Sequence, residues 1–392
     1  MPEDKLAEYA LRLKGLSVFR GILKNETVKL FTEMLEKPSP DTYGSFVFSL
    51  YDSGDDLTEF LLNTIIKDEN AFMCRLAAYK EVPACIERAA KSELALLNDV
   101  AKLTSAQVKE AFDEGAEYVS AEWNVRDIDF LKAYTEKIAN LSTKGFGIFS
   151  EYHVFTFKDG MITPVKNPDP QKLSQLSGYE AERSKVINNT LALLNDKPAA
   201  NVLLYGDAGT GKSSTVKAIV NEYYDKGLRL IELNKAQLEE LPSIAEKIAE
   251  NPLKFIIFVD DISFSSDDDK FSCLKAVLEG SAAAKAPNSV IYATSNRRHI
   301  VKERFSDRDG DDVHSADTRE ELISLSERFG LRVAFYKPDK SVYLGIVEKL
   351  ANDNGIAVTE ELLMKAEAFA LRRNGRSGRA AKHFIESVLS QM

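Results

Sequence analysis

Cysteine is scarce: Cys74, Cys85 and Cys273 are the three in 392 residues, and no two of them stand as a CxxC pair. An odd count without metal-ligand spacing argues against a disulfide framework and a structural zinc site, so a reducing cytoplasm is the expected compartment. Long apolar runs are lacking as well. No stretch approaches the roughly 18 consecutive apolar residues of a membrane span. Met1 to Leu16 mixes charges with scattered apolar residues, whereas a secretory leader sets an unbroken apolar stretch behind a basic start. Positive charge is in deficit, 51 Lys and Arg against 61 Asp and Glu for a net −10. That balance opposes indiscriminate binding along a phosphate backbone, which Lys and Arg drive by displacing counterions. No internal repeat or low-complexity tract occurs.

What is present is the composition of a soluble globular protein, 44% hydrophobic and 29% charged, in a chain long enough for two or three domains. Residues 1–150 read mainly as helices. Leu57, Phe60, Leu61 and Ile65 lie along one helical stripe, and Ile128, Leu131, Ile138 and Leu141 along another. His153 to Phe157, then Lys158-Asp159-Gly160 and Met161 to Val165, predict a β-hairpin that closes a first domain at 1–166. Asn167-Pro168-Asp169-Pro170 marks a linker, because two prolines in four residues resist helix and sheet alike. Over 171–337 short apolar strands alternate with helices: Asn201–Tyr205, Arg229–Leu233, Phe255–Val259, Ser289–Thr294 and Leu331–Tyr336. The fold class expected is therefore α/β, a parallel sheet with helices on both faces. Residues 338–392 predict a small helical lid, with helices near 339–353, 359–372 and 377–390. The acidic clusters Asp267 to Asp269 and Asp309 to Asp312 read as solvated loops.

Gly206-Asp207-Ala208-Gly209-Thr210-Gly211-Lys212-Ser213 fits GxxxxGK[ST] at every fixed position, after an apolar strand and before a helix-compatible run that opens with Ser214. Glycines let the backbone fold tightly enough for successive N–H groups to face phosphate oxygens, and the helix N-terminus adds a favourable dipole. Lys212 would neutralise the β- and γ-phosphates of ATP, and Ser213 would ligate Mg²⁺. The bland alternative, a glycine-rich turn, does not account for the flanking strand and helix. Phe255 to Val259 leads into Asp260 and Asp261, a Walker B pattern at the sheet edge where ligands of open α/β sheets bind. Asp260 is placed to hold Mg²⁺ and Asp261 to polarise the attacking water; an N-cap for the next helix is the competing role of either acid.

Taken together, residues from about 176 to 390 resemble the AAA+ ATPases, and the whole chain resembles a bacterial family of predicted AAA+ ATPases of unknown function. Through that resemblance, Leu176-Ser177-Gly178-Tyr179-Glu180 is the segment lining the adenine pocket, with Gly178 and Tyr179 as contacts. Tyr292 to His299 resembles a sensor-1 segment, with Asn296 reaching the γ-phosphate or the water; a turn or capping role is its alternative. Ser326-Glu327-Arg328-Phe329-Gly330 resembles the arginine-finger segment, which implies a homo-oligomer in which Arg328 enters a neighbour's site. Gly375 to Ala381 resembles a sensor-2 helix start, with Arg379 chosen over Arg376 because it directly precedes the apolar helical run. Arg372, Arg373 and Lys382 read as a solvated face or, with Arg297, Arg298, Lys302 and Arg304, as a nucleic-acid patch lacking interleaved aromatics.

Two departures qualify the resemblance. Asp261 stands where many AAA+ enzymes carry Glu, and Asn234 to Leu238 shows no aromatic-Gly gripping loop of a threading unfoldase. The leading expectation is Mg-dependent ATP hydrolysis that remodels a protein partner recognised through residues 1–150, for which a stabilising cap is the alternative role. A slow-turnover switch or loader, acting on nucleic acid or a helicase, is the alternative. A small-molecule phosphotransferase ranks third, since it leaves Arg328 and Arg379 unexplained.

Overall fold

The computed structural model describes residues 3–78, 80–112, 114–262, 274, 278, 286–296, 327–373 and 375–390. Cys273, both acidic clusters, Ser326 and the bases Arg297, Arg298, Lys302 and Arg304 lie outside them. The chain divides into one unit of Met1–Glu151 with Glu250–Pro252, and a second of Tyr152–Ala249 with Leu253–Met392.

The first unit is helical: α1 Glu3–Lys14, α2 Glu26–Glu36, α3 Pro40–Tyr51, α4 Leu57–Lys67, α5 Ala71–Ala77, α6 Ala84–Val100, α7 Ser105–Lys109, α8 Phe130–Ala139 and α9 Leu141–Lys144. Side chains of Asn25, Ser39, Asp56, Asn70, Thr104 and Asp129 accept backbone N–H groups at the starts of six of them, which fixes where each helix begins. The core gathers Phe19, Phe31, Tyr43, Phe46, Trp123, Phe130 and Tyr134. Leu57, Phe60, Leu61 and Ile65 are buried together on α4 as expected. The second expected stripe is corrected. Asp129 starts α8 at Phe130 and α8 ends at Ala139, so Ile128 and Leu141 fall outside it; Phe130 and Tyr134 are buried, while Leu131 is 45% exposed.

The second unit is built on a seven-stranded sheet of order β2-β1-β4-β5-β6-β3-β7: β1 Val154–Lys158, β2 Met161–Pro164, β3 Val202–Gly206, β4 Leu228–Leu233, β5 Lys254–Val259, β6 Ser289–Ser295 and β7 Leu331–Phe335. Asp159 (φ 50°) and Gly160 (φ 73°) make the hairpin turn, both left-handed as a two-residue type I′ turn requires. The hairpin does not close the helical domain. β1 pairs in parallel with β4, Phe155 opposite Ile231, because its apolar face continues the sheet's core: Val154 packs with Leu228 and Leu230. β2 is the antiparallel edge, and the other strand pairings are parallel. Flanking helices include α10 Glu180–Leu194, α11 Lys212–Tyr223 and α12 Leu241–Ile248. β5 is apolar on both faces, with Phe255 to Val259 all at 2% exposure or less, and each large side chain so buried contributes about 1.5–3 kcal/mol.

Three lid helices follow, Lys340–Asp353, Glu360–Arg372 and Gly378–Leu389. Each starts one residue after a capping side chain, Asp339, Thr359 or Ser377. They close over their own core of Tyr343, Val347, Ala366, Ala370, Ala381 and Phe384. Among the described residues no helix is long and apolar enough to cross a membrane.

Candidate nucleotide site

Parallel pairing brings the carboxyl ends of β3, β5, β6 and β7 to one edge of the sheet. β6 lies between β3 and β5, so residues at its end reach both the phosphate loop and the Asp pair. The loop between β3 and α11 depends on left-handed glycines, Gly206 at φ 123°, Gly209 at 77° and Gly211 at 91°. At Gly206 the reason is also steric: a Cβ there would stand 2.3 Å from the Phe335 carbonyl oxygen, so only glycine lets β7 pass this close. Asp207 pins the loop's other side. Its N–H donates to the Phe335 carbonyl at 2.9 Å, and its carboxylate accepts the Lys337 N–H at 2.7 Å.

Lys212 reaches back across the loop and donates to the carbonyls of Gly206 (3.2 Å) and Asp207 (2.7 Å) and to Asn296 Oδ1 (2.9 Å). Burial pushes its pKa below the ordinary lysine value, against the opposing pull of Asp207, Asp261 and Asp260. Asn296 Nδ2 donates to Asp261 Oδ1 at 2.8 Å. Asp260 Oδ1 accepts two hydroxyls, Ser213 and Thr294, each at 2.6 Å. Thr294 Oγ1 also accepts the Asp261 N–H at 2.8 Å, where Asp261 adopts a left-handed φ of 51°.

The third lid helix begins on the phosphate loop: the Arg379 N–H donates to the Gly209 carbonyl at 3.2 Å, and a Cβ on Gly209 would lie 3.3 Å from the Arg379 Cβ and the Ser377 Oγ. Arg376 is instead engaged within the lid by Glu367. On the far side of the loop, Gly178 (φ 69°) and Tyr179 (φ 61°) turn the chain into α10. Tyr179 packs its ring 5.2 Å from Phe335 and donates its hydroxyl to the Tyr336 carbonyl at 2.5 Å.

These elements enclose a cleft of about 1030 Å³. Ala208 through Ser214, Asp260, Asp261, Asn296, Tyr179 and Arg379 line it. Gly206, Asp207, Gly178 and Arg328, the last half-buried just before β7, do not line it. The residues fit a nucleotide with a divalent ion. Ser177 Oγ, in the cleft wall, is a buried hydroxyl with no hydrogen-bond partner among the described residues, as a wall meeting a polar ligand would leave it. Ser213 and Asp260 converge, but among the described residues no three His, Cys, Asp or Glu side chains do. A hard cation here would therefore complete its shell with phosphate oxygens and water.

Thr294 and Ser177 are the residues that reading the sequence passed over. Thr294 lies within the sensor-1-like segment, and its signal is a buried hydroxyl at the carboxyl end of a strand whose middle, Val290 to Ala293, is buried. Ser177 lies within the segment that the resemblance assigns to the adenine pocket, between Leu176 and Gly178.

Residues 150–392 match the family described as "Protein of unknown function (DUF815)". The chain is also similar to the replication factor C large subunit of Staphylothermus marinus, 30% identical over 122 residues that cover 28% of each protein; it thus spans under a third of that relative.

Proposed function

We propose that this chain, which belongs to the DUF815 family and carries an AAA+ ATPase-like core, binds ATP with Mg²⁺, hydrolyses it, and uses the cycle to remodel a protein partner as a homo-oligomer. The observation that carries the reading is the convergence of Lys212, Ser213, Asp260, Asp261 and Asn296 on one cleft, with the lid helix start bonded to Gly209. Each residue has work to do there. Loop N–H groups and Lys212 bind the phosphates, Asp261 and Asn296 orient the attacking water, and Arg379 carries the state of the γ-phosphate to the lid. Ser213 and Asp260 would hold Mg²⁺, which when bound offsets charge on the phosphoryl oxygens. Arg328, away from its own cleft, would serve the site of a neighbouring copy, and residues 1–150 would recognise the partner.

Lys212→Ala is expected to abolish binding of a fluorescent ATP analogue. Arg328→Ala should bind it normally yet lose turnover in the assembly. Normal hydrolysis by Arg328→Ala would refute the shared site.

One observation favours a second reading, a slow-turnover ATP switch or loader. Asp261 is shorter than Glu, sits in a left-handed turn, and gives one carboxylate oxygen to Asn296, an arrangement that restrains it from following a moving water. Steady-state ATPase assays with and without single-stranded DNA separate the two. DNA-stimulated turnover supports the loader, and no DNA binding at low salt removes it.

A further inference from the structure

The turn that carries both carboxylates is tied to the neighbouring strand by one residue. Thr294 is 2% exposed and lies on β6 opposite Leu204 of β3, one residue beyond the Val259–Ala293 pair that ends the β5–β6 ladder. Its hydroxyl has one proton, given to Asp260 Oδ1 at 2.6 Å, and a lone pair that takes the Asp261 N–H at 2.8 Å. Its carbonyl takes the next N–H, that of Ile262, at 2.7 Å. Three bonds from one residue thus fix three consecutive positions of the turn. Held this way, Asp261 adopts φ 51°, a conformation in which Asp is tolerated better than longer side chains, and its carboxylate meets Asn296.

We propose that Thr294, almost wholly buried in the wall of the cleft, is a positioning residue of the nucleotide site: it orients the Asp260 carboxylate toward the divalent ion and sets where Asp261 stands, acting through these two residues. The inference rests on the nucleotide reading above. It also accounts for an Asp at position 261, since the tie selects a left-handed turn before it selects a side-chain length.

Two acceptor contacts on Asp260 Oδ1 have separate jobs. Ser213 is itself a candidate ion ligand, and its hydroxyl oxygen would turn to the ion when one is bound. Thr294 is not, and it keeps the carboxylate's orientation while Ser213 serves the ion. Replacing Thr294 by the near-isosteric Val leaves the Asp261 N–H without its partner and frees Asp260 to rotate, whereas Ser preserves both bonds.

The test uses the full chain as wild type, Thr294→Val, Thr294→Ser and Lys212→Ala. It reads binding of a fluorescent ATP analogue in EDTA and across a Mg²⁺ titration, and kcat and KM for ATP. Thr294→Val is expected to bind the analogue in EDTA within about twofold of wild type, to need about tenfold more Mg²⁺, and to lose about 10–100-fold in kcat, the scale of lost outer-shell partners at metal sites. Thr294→Ser should stay within about threefold of wild type in every reading. The proposal is overturned if Thr294→Val matches wild type while Lys212→Ala loses binding. It is equally overturned if Val and Ser lose analogue binding alike in EDTA, which would mark a merely structural residue. Binding retained by Lys212→Ala would instead refute the nucleotide reading itself. Should Thr294→Val fail to fold, Thr294→Ala carries the same comparison.

Discussion

The ammonium of Lys212 and the carboxylate of Asp261 are joined by a single amide: Asn296 accepts from Lys212 at 2.9 Å and donates to Asp261 at 2.8 Å. β6 makes this possible by lying between β3, whose loop leads to Lys212, and β5, whose end leads to Asp261. Lys212 and Asp261 are therefore both coupled to the end of β6. Removing the amide should separate binding from chemistry. Asn296→Ala is expected to bind ATP within about threefold of wild type and to lose about 10²–10³-fold in kcat, the cost of one preorganised donor at a reacting centre. Unchanged kcat in a single-turnover assay would deny Asn296 a part in the chemistry.

Gly206 and Gly211 share a left-handed backbone but differ in surroundings. A Cβ at Gly206 meets the Phe335 carbonyl at 2.3 Å, whereas at Gly211 nothing lies within 4 Å. Gly211→Ala should therefore cost only backbone strain, about 1–3 kcal/mol. Gly206→Ala must also push β7 away and should exceed about 4 kcal/mol. Urea unfolding followed by tyrosine fluorescence ranks the two; equal midpoints would contradict the close approach of β7.

Arg376 and Arg379 lie three residues apart yet face different tasks. Arg376 is bound by Glu367 within the lid, so Arg376→Ala should lower the lid's melting temperature and leave nucleotide affinity unchanged. Arg379 lines the cleft beside the loop, so Arg379→Ala should preserve the fold while lowering kcat/KM about tenfold or more. The reverse pattern would exchange their roles.

The sequence made the strands legible because β3 to β7 are short apolar runs set between polar turns, and the observed bounds shift by about one residue. The lid helices were readable from their caps. The hairpin's local geometry was equally plain, since Asp159-Gly160 dictates the turn, but its membership was not: pairing between β1 and β4 joins segments about 75 residues apart, and no local pattern encodes that. In the site, spacing alone singled out Lys212, Ser213 and Asp260. The part of Thr294 arises only when β6 inserts between β3 and β5, a fact of strand order that periodicity does not carry.

Alkaline pH should unfold the protein through its buried phenols. Tyr343 donates its hydroxyl to the Ala366 carbonyl at 3.0 Å and Tyr43 to the Ala121 carbonyl at 2.6 Å, and burial raises each pKa to about 12; burial raises Tyr134 and Tyr179 as well. In the unfolded chain a phenol titrates near pH 10. Below that value both states hold the proton and the full stability is present. Above it the unfolded chain releases protons that the native state retains, so stability falls as pH climbs from about 10 through about 12. Lys212 acts the other way: its lowered pKa makes the native state shed a proton first, which raises stability as pH approaches the ordinary lysine value. Burial also raises Tyr205, Tyr223 and Tyr292 and lowers Arg183 and, to about 10, Arg229, so the raised phenols outnumber the lowered cations and the net slope should be negative. Tyr343→Phe should make the fall shallower and leave the neutral-pH fold intact, at a cost of about 1 kcal/mol for the lost hydrogen bond. Circular dichroism recorded alongside tyrosinate absorbance checks this, and phenols that ionise near pH 10 in the still-folded protein would refute their burial.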